Sequence, residues 1–345
     1  MKKFIHLGYP KNFSTSLQRD FFAAHDEIHH LGIGIGSNIG YIDPVCSSLF
    51  EVFLKFSKSF HYRTHVSDLK KHIQHHLYQA RIHKKKCMTA SSEHLAFSFL
   101  HESIDFPTKL TRLVELFGED VNVILILRNQ MELIHSMYNE SVRTGLKYSY
   151  AEYLKNLWQF QDRNFMFDFR YDMILLELYK KLPKENIHVF FFEEYAEGQT
   201  HILKKSLAHI MGISEEPNPL KHLNPKLSSC QLKTKLELNQ RFQHDFGNEL
   251  FESAEIHRQA EYFNTYLKLN TNPQGLDFFH DVKTKQRLIA AAKVDYSRYE
   301  STSGMDYNSG GSAQTKIQSF FAEGNKILKE LIDFDMPAHY TKISH

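Results

Sequence analysis

Seven residues, Val121-Asn122-Val123-Ile124-Leu125-Ile126-Leu127, constrain the fold of this chain more than any other stretch. The run is nearly all apolar and rich in β-branched side chains. It lacks the alternation of a strand with one wet face, so it is expected to be a strand covered on both faces. Strands of that kind belong to parallel sheets with helices on either side. Shorter apolar runs recur at 4–7, 86–89 and 187–192, separated by long stretches of helical periodicity. This alternation predicts an α/β fold with a mostly parallel central sheet and 121–127 as a central strand. Gly32-Ile33-Gly34-Ile35-Gly36 is a fifth strand candidate, weakened by its glycines.

Helical periodicity predicts a helix over 95–119 with a break at Pro107, and another over 203–211 closed by Gly212 as its C-terminal cap. Apolar spacings of three and four continue through 232–267, so 230–300 reads as a further helical region. The Gly- and Ser-rich stretch 300–314 reads as a flexible loop. At 345 residues the expectation is one domain over 1–345.

A formal net charge of +2 argues against a general nucleic-acid binder, so any basic site must be local. Cys46, Cys87 and Cys230 are far apart and in no metal-binding spacing, and read as free thiols in a reducing compartment. The apolar run after Lys2 and Lys3 is broken at His6 and ends by Gly8, short of a signal-peptide core. No segment approaches the roughly 18 apolar residues of a membrane span. A soluble, cytoplasmic protein is the expectation.

Two constellations carry chemistry. The first strand feeds Gly8-Tyr9-Pro10-Lys11-Asn12-Phe13-Ser14-Thr15-Ser16-Leu17, a tight turn with one lysine and a run of hydroxyls before a helix. A helix N-terminus entered this way leaves backbone N–H groups unpaired and favours an anion. The usual phosphate loop has glycine directly followed by lysine and a hydroxyl; here the lysine comes early and Phe13 interrupts the run. Alone, the loop leaves kinase, reductase and structural readings open. The second constellation, Arg128-Asn129 followed by Ser136, begins at the C-terminal end of the central strand, where open α/β sheets bind ligands. The fork of Arg128 suits a phosphate, although an arginine there can equally bridge a surface carboxylate.

Taken together, Pro10-Lys11-Asn12-Phe13-Ser14-Thr15-Ser16-Leu17 and Arg128-Asn129, with Ser136 eight positions past the arginine, resemble the paired signatures of sulfotransferases. These enzymes use 3′-phosphoadenosine 5′-phosphosulfate (PAPS), and the bacterial and Golgi-like carbohydrate branch fits best. Phe192-Glu193-Glu194-Tyr195, Leu223-Asn224-Pro225 with Leu227-Ser228-Ser229, and Phe321-Ala322-Glu323-Gly324-Asn325-Lys326-Ile327-Leu328 extend the resemblance. It implies a P-loop-kinase-like three-layer fold of about five strands. It also implies that Lys11, Asn12, Phe13, Ser14, Thr15 and Ser16 hold the 5′-phosphosulfate, and that Arg128 and Ser136 hold the 3′-phosphate. The family often has glycine where Phe13 stands, and its Gly-rich, lysine-containing late motif has no clear counterpart, so the adenine contacts are unassigned.

Sulfuryl transfer in line from phosphate to an acceptor oxygen or nitrogen is mostly positioning and charge stabilisation, as in phosphoryl transfer. Lys11 is the group to stabilise the leaving oxygen. Just past the strand at 86–89 lie Ser91-Ser92-Glu93-His94. Carbohydrate-modifying branches place a glutamate there, which implies Glu93 as general base; His94 is the rival, since a free imidazole titrates near neutral pH. Without the resemblance, Glu93 reads as an N-terminal helix residue. No metal is required by the electrostatics. The acceptor is a small molecule, carbohydrate or lipid, with the 230–300 helices over its side. Tyr138, Asn139, Arg143 and Lys147 are candidates to face it.

His72, His75, His76 and His83 read as surface histidines rather than a metal site. Lys84-Lys85-Lys86 reads as a solvated turn, and Trp158 and Phe160 read as core. The alternative functions are a small-molecule kinase on the same sheet, with Glu193 and Glu194 offered for magnesium, and a non-catalytic nucleotide-binding module of sulfotransferase type.

Overall fold

The computed structural model describes residues 1–31, 58–97, 104–143, 146–196, 198–215, 220, 228–246, 304–307 and 310–340. The chain opens with β1 (Lys2–Leu7) and passes through the loop into α1 (Ser14–Leu17), which continues as a π-helical turn over Gln18–Phe22. β2 (Ile28–His30) follows, then α2 (Ser59–Ile82), β3 (Cys87–Ser92) and a 3-10 turn at Glu93–Leu95. Next come α3 (Phe106–Phe117), β4 (Asn122–Leu127), α4 (Gln130–Arg143) and α5 (Tyr150–Gln159). α6 (Tyr171–Lys181) precedes β5 (Ile187–Phe191), which turns directly into α7 (Phe192–Tyr195) and then α8 (Thr200–Met211). α9 (Ser229–Phe246) and α10 (Gly311–Leu331) complete the helices of the described residues.

All five strands run parallel in the order β2-β3-β1-β4-β5. This is the α/β architecture expected from the alternation of apolar runs, and β4 is an interior strand as its composition requires. β1 is central, and its C-terminal end sits beside the ends of β3 and β4. The chain leaves β1 toward β2 on one side, and leaves β3 toward β4 on the other. Crevices at such a reversal are where α/β sheets bind ligands.

The register gives each sheet face its side chains. Phe4, Ile28, Cys87, Ile124 and Ile126 share one face and pack with Leu17, Phe21, Phe22, Leu203, Leu207 and Met211. On the same face His6 Nδ1 lies 2.8 Å from Ser91 Oγ, Gln18 Nε2 donates to that oxygen at 2.9 Å, and His30 Nδ1 lies 2.7 Å from Thr89 Oγ1. This is a polar seam inside an apolar layer, so its imidazoles must stay neutral: burial lowers His6 to about 4 and His30 to about 3. On the other face His29 Nε2 lies 3.1 Å from His76 Nδ1 of α2.

The described chain divides into two compact units, one of Met1–Gln130, Asp162–Leu223 and Phe321–His345, the other of Met131–Gln161 and Asn224–Phe320. The first contains the whole sheet. In the second, Ser149 and Glu152 form a reciprocal capping box that starts α5, and Asn239 of α9 donates to the carbonyls of Val142 and Leu146, both at 2.8 Å.

Several details differ from the sequence reading. The fifth strand is Ile28–His30; Gly32 to Gly36 lie outside the described residues. Pro107 does not break a helix but sits in the first turn of α3, where its missing N–H costs nothing, while Asp105 caps that turn through Thr108 N at 3.0 Å. His76 is buried against His29 rather than on the surface. Phe160 is 48% exposed rather than core. α10 begins at Gly311, inside the stretch read as loop. Cys46, residues 221–227 and residues 247–303 lie outside the described residues.

Candidate functional site

The loop after β1 is held in a conformation that L side chains seldom adopt. Lys11 has φ 63° and Phe13 has φ 61°, both left-handed, within three residues. Each such residue costs about 1–2 kcal/mol, and strain of this kind gathers at ligand sites. Alternating left-handed residues before a helix are the backbone pattern from which anion-binding concavities are made. Phe13 is the N-cap of α1, and its side chain makes no cap hydrogen bond. A phenylalanine there does not supply the Ser or Asp oxygen that usually takes up a first-turn N–H.

The polar side chains of the loop secure it from below. Ser14 Oγ donates to the Tyr9 carbonyl at 2.8 Å, and Tyr9 OH donates to the Asp168 carbonyl at 2.8 Å. Asn12 is fully buried and its Nδ2 donates to the Ile126 carbonyl at the end of β4, 2.8 Å away. Its Oδ1 is buried without a hydrogen-bond partner among the described residues. The Asn12 side chain is thus a strut between loop and sheet. Thr15 and Ser16 are half-buried on α1.

Glu93 stands next to this loop. The N–H of Gly8 donates to the Ser92 carbonyl at 3.2 Å, joining the ends of β1 and β3. A Cβ on Gly8 would lie 3.1 Å from Ser14 Oγ, 3.4 Å from Glu93 Cα and 3.4 Å from His6 Cε1. Glycine thus lets the loop, the Glu93 turn and the buried imidazole converge without pressing on the Ser14 hydroxyl. Glu93 opens the 3-10 turn and is half-buried; Ser92, the residue before it, makes no side-chain cap. His94 is in the same turn, and its side chain lies outside the described residues.

Arg128 directly follows β4 and meets the loop. Its Nη1 donates to the Lys11 carbonyl at 3.1 Å, a contact between residues 117 positions apart. Its Cζ lies 4.5 Å from the centre of the Phe192 ring, at the end of β5. Phe13 stacks on that ring at 4.4 Å and 25°, turned into the apolar layer. The stack, about 0.5–1.5 kcal/mol beyond area burial, offsets much of the left-handed cost at Phe13. Phe13 therefore does not fill the loop's concavity with its ring.

The backbone behind Arg128 is tied down on several sides. Tyr171 OH donates to the Arg128 carbonyl at 2.8 Å. Glu193 accepts from the Asn129 N–H at 2.8 Å and from Tyr340 OH at 3.0 Å. Gln130 and Asn325 pair reciprocally, Nε2 to Oδ1 at 2.7 Å and Nδ2 to Oε1 at 3.1 Å, and Asn325 also donates to the Tyr340 carbonyl at 2.8 Å. Gly324 is required beside it, since a Cβ there would fall 2.4 Å from Arg170 Nε and 2.6 Å from Asp172 Oδ1. Glu193, offered for magnesium in the kinase alternative, is engaged in holding the chain. Phe192-Glu193 and Gly324-Asn325 stand out in the sequence only through the resemblance, with Glu193 given a role only in the kinase alternative; Phe192 and Tyr171 as partners of Arg128 have no sequence signal.

Ser136 lies half-buried on α4 in the second unit. In that unit Tyr138 donates to the Tyr148 carbonyl at 2.9 Å, and Tyr307 donates to Asn139 Oδ1 at 3.0 Å. His135, Tyr138 and Tyr150 crowd the Tyr307 ring at centroid distances of 3.8, 6.5 and 5.4 Å. Arg143 pairs with Glu140, and Lys147 Nζ lies 5.2 Å over the Tyr148 ring. Among the described residues no group of three or more His, Cys, Asp or Glu could hold a metal ion, and no helix is long and apolar enough to cross a membrane.

No family model matches the chain, and no curated protein matches it. Among solved structures, the crystal structure of a sulfotransferase from Alicyclobacillus acidocaldarius is similar at 14% sequence identity and a TM-score of 0.41, over 73% of this chain and 96% of that one.

Proposed function

We propose that this protein is a sulfotransferase that moves a sulfuryl group from PAPS to a hydroxyl or amine of a small-molecule, carbohydrate or lipid acceptor. One observation carries the reading: Arg128 donates to the Lys11 carbonyl at 3.1 Å, so the two signatures of the sequence resemblance are neighbours in space. A start of α1 without a hydrogen bond from its N-cap side chain, the left-handed residues at Lys11 and Phe13, and the inward turn of the Phe13 ring suit an anion at the loop.

In this reading the donor supplies an activated sulfate on a phosphate leaving group. Backbone N–H groups at Ser14, Thr15 and Ser16 bind the 5′ end, with the helix macrodipole behind them. The Lys11 ammonium stabilises the charge that develops on the leaving oxygen. Arg128 holds the 3′-phosphate, a role the sequence resemblance also gives to Ser136. Asn12 and Phe13 contribute through the backbone they shape, since their side chains face the sheet and Phe192. Glu93, beside the loop at the end of β3, takes the acceptor proton, with His94 the rival in the same turn. The chemistry assigns no step to a metal.

Labelled-sulfate transfer from PAPS into a metabolite extract tests the activity. The expected result is a labelled product with the wild type and far less of it with Lys11→Ala; equal labelling by both proteins would contradict the role of Lys11.

A further inference from the structure

We propose that Phe13 and Phe192 are positioning residues for Arg128, and that their stack makes the site select a nucleotide carrying a second, 3′-phosphate. This role rests on the sulfotransferase reading and adds to it a pair of side chains that the sequence resemblance leaves without a role toward Arg128. Four groups close a circuit: the Lys11 carbonyl accepts from Arg128 Nη1 at 3.1 Å, Arg128 Cζ lies 4.5 Å over Phe192, and Phe192 stacks on Phe13 at 4.4 Å. Lys11 and Phe13 belong to the same left-handed turn, so the loop grips the guanidinium through its backbone at one residue and through a ring at the other.

The main chain at Arg128 is already fixed by Tyr171 OH, and that at Asn129 by Glu193. What the stack governs is the side chain. A long arginine loses rotamer freedom when it is ordered. A guanidinium held over a ring face is confined on that side, and its planar fork of donors is left to meet acceptors at its edge, as in phosphate recognition. Glycine at position 13 would relax the turn and would offer Phe192 no partner. The left-handed phenylalanine is therefore the means by which this loop sets the orientation of Arg128.

The test is calorimetry on the whole chain with adenosine 3′,5′-bisphosphate and adenosine 5′-monophosphate. The proteins are the wild type, Phe192→Leu, Phe192→Tyr and Phe13→Gly, each checked by thermal melting. The wild type is expected to prefer the bisphosphate. Phe192→Leu and Phe13→Gly should narrow that preference by about two- to fivefold, while Phe192→Tyr, which keeps the ring face, should retain it. An unchanged preference in folded Phe192→Leu and Phe13→Gly would overturn the role. So would an equal weakening of both nucleotides, the mark of general damage to the loop. Should Phe192→Leu fail to fold, Phe13→Gly, which removes strain rather than adding bulk, carries the comparison. A wild type without preference for the bisphosphate would remove the sulfotransferase reading itself, and the role with it.

Discussion

Lys11, Asn12 and Glu93 divide the work of the loop, and each makes a separate prediction. Lys11→Ala should lower sulfate transfer by about 10²–10³-fold, the usual cost of removing one charge-stabilising donor. Calorimetry should still detect adenosine bisphosphate, because the backbone N–H groups and Arg128 remain. Asn12→Ala removes the bond to the Ile126 carbonyl and should cost about 1 kcal/mol in urea unfolding. An unchanged midpoint with lost nucleotide binding would instead make the Asn12 side chain a ligand contact. Glu93→Gln should lower turnover by about 10²–10⁴-fold and remove the acidic limb of the pH profile, with His94→Gln leaving that limb in place. The opposite pattern would give the base to His94.

At the scale of elements, the ends of β1, β3 and β4 do the positioning, and Gly8 is where they meet most closely. Gly8→Ala should leave the sheet folded yet lower turnover by about ten- to a hundredfold, because its Cβ would lie 3.1 Å from Ser14 Oγ and displace that hydroxyl, which fastens the loop beside the Glu93 turn. Turnover equal to the wild type would mean that the loop and the Glu93 turn need not touch. Four of the five strands were legible as short apolar runs, most clearly β4, whose two covered faces force a continuous one. β2 was not, since two of its three residues are histidines and their burial depends on Thr89 and His76, distant in sequence. The Lys11 and Arg128 motifs were legible as residue types; their contact was not, because nothing in either segment encodes where β4 lies relative to β1. Phe13 looked like a defect of the loop for the same reason, as Phe192 lies 179 positions away.

For the whole molecule, the buried imidazoles set an acid limit on stability. Burial lowers His6 and His29 to about 4 and His30 to about 3, whereas the unfolded chain titrates near 6.5. Between those values the unfolded state binds more protons, so stability falls as pH falls from about 6.5 toward about 4. The thermal midpoint should drop steadily from about pH 7 to about pH 5, and a flat midpoint over that window would show that these rings are not held neutral. The central claim, a site for a phosphosulfate donor with a second phosphate, is tested most directly by the thermal shift of the wild type with adenosine 3′,5′-bisphosphate, magnesium ATP and NAD in parallel. At about a hundredfold excess over its dissociation constant, the bisphosphate should contribute about 2.7 kcal/mol and raise the midpoint by several degrees. Stabilisation by magnesium ATP with none by the bisphosphate would contradict the account and turn the site over to a kinase.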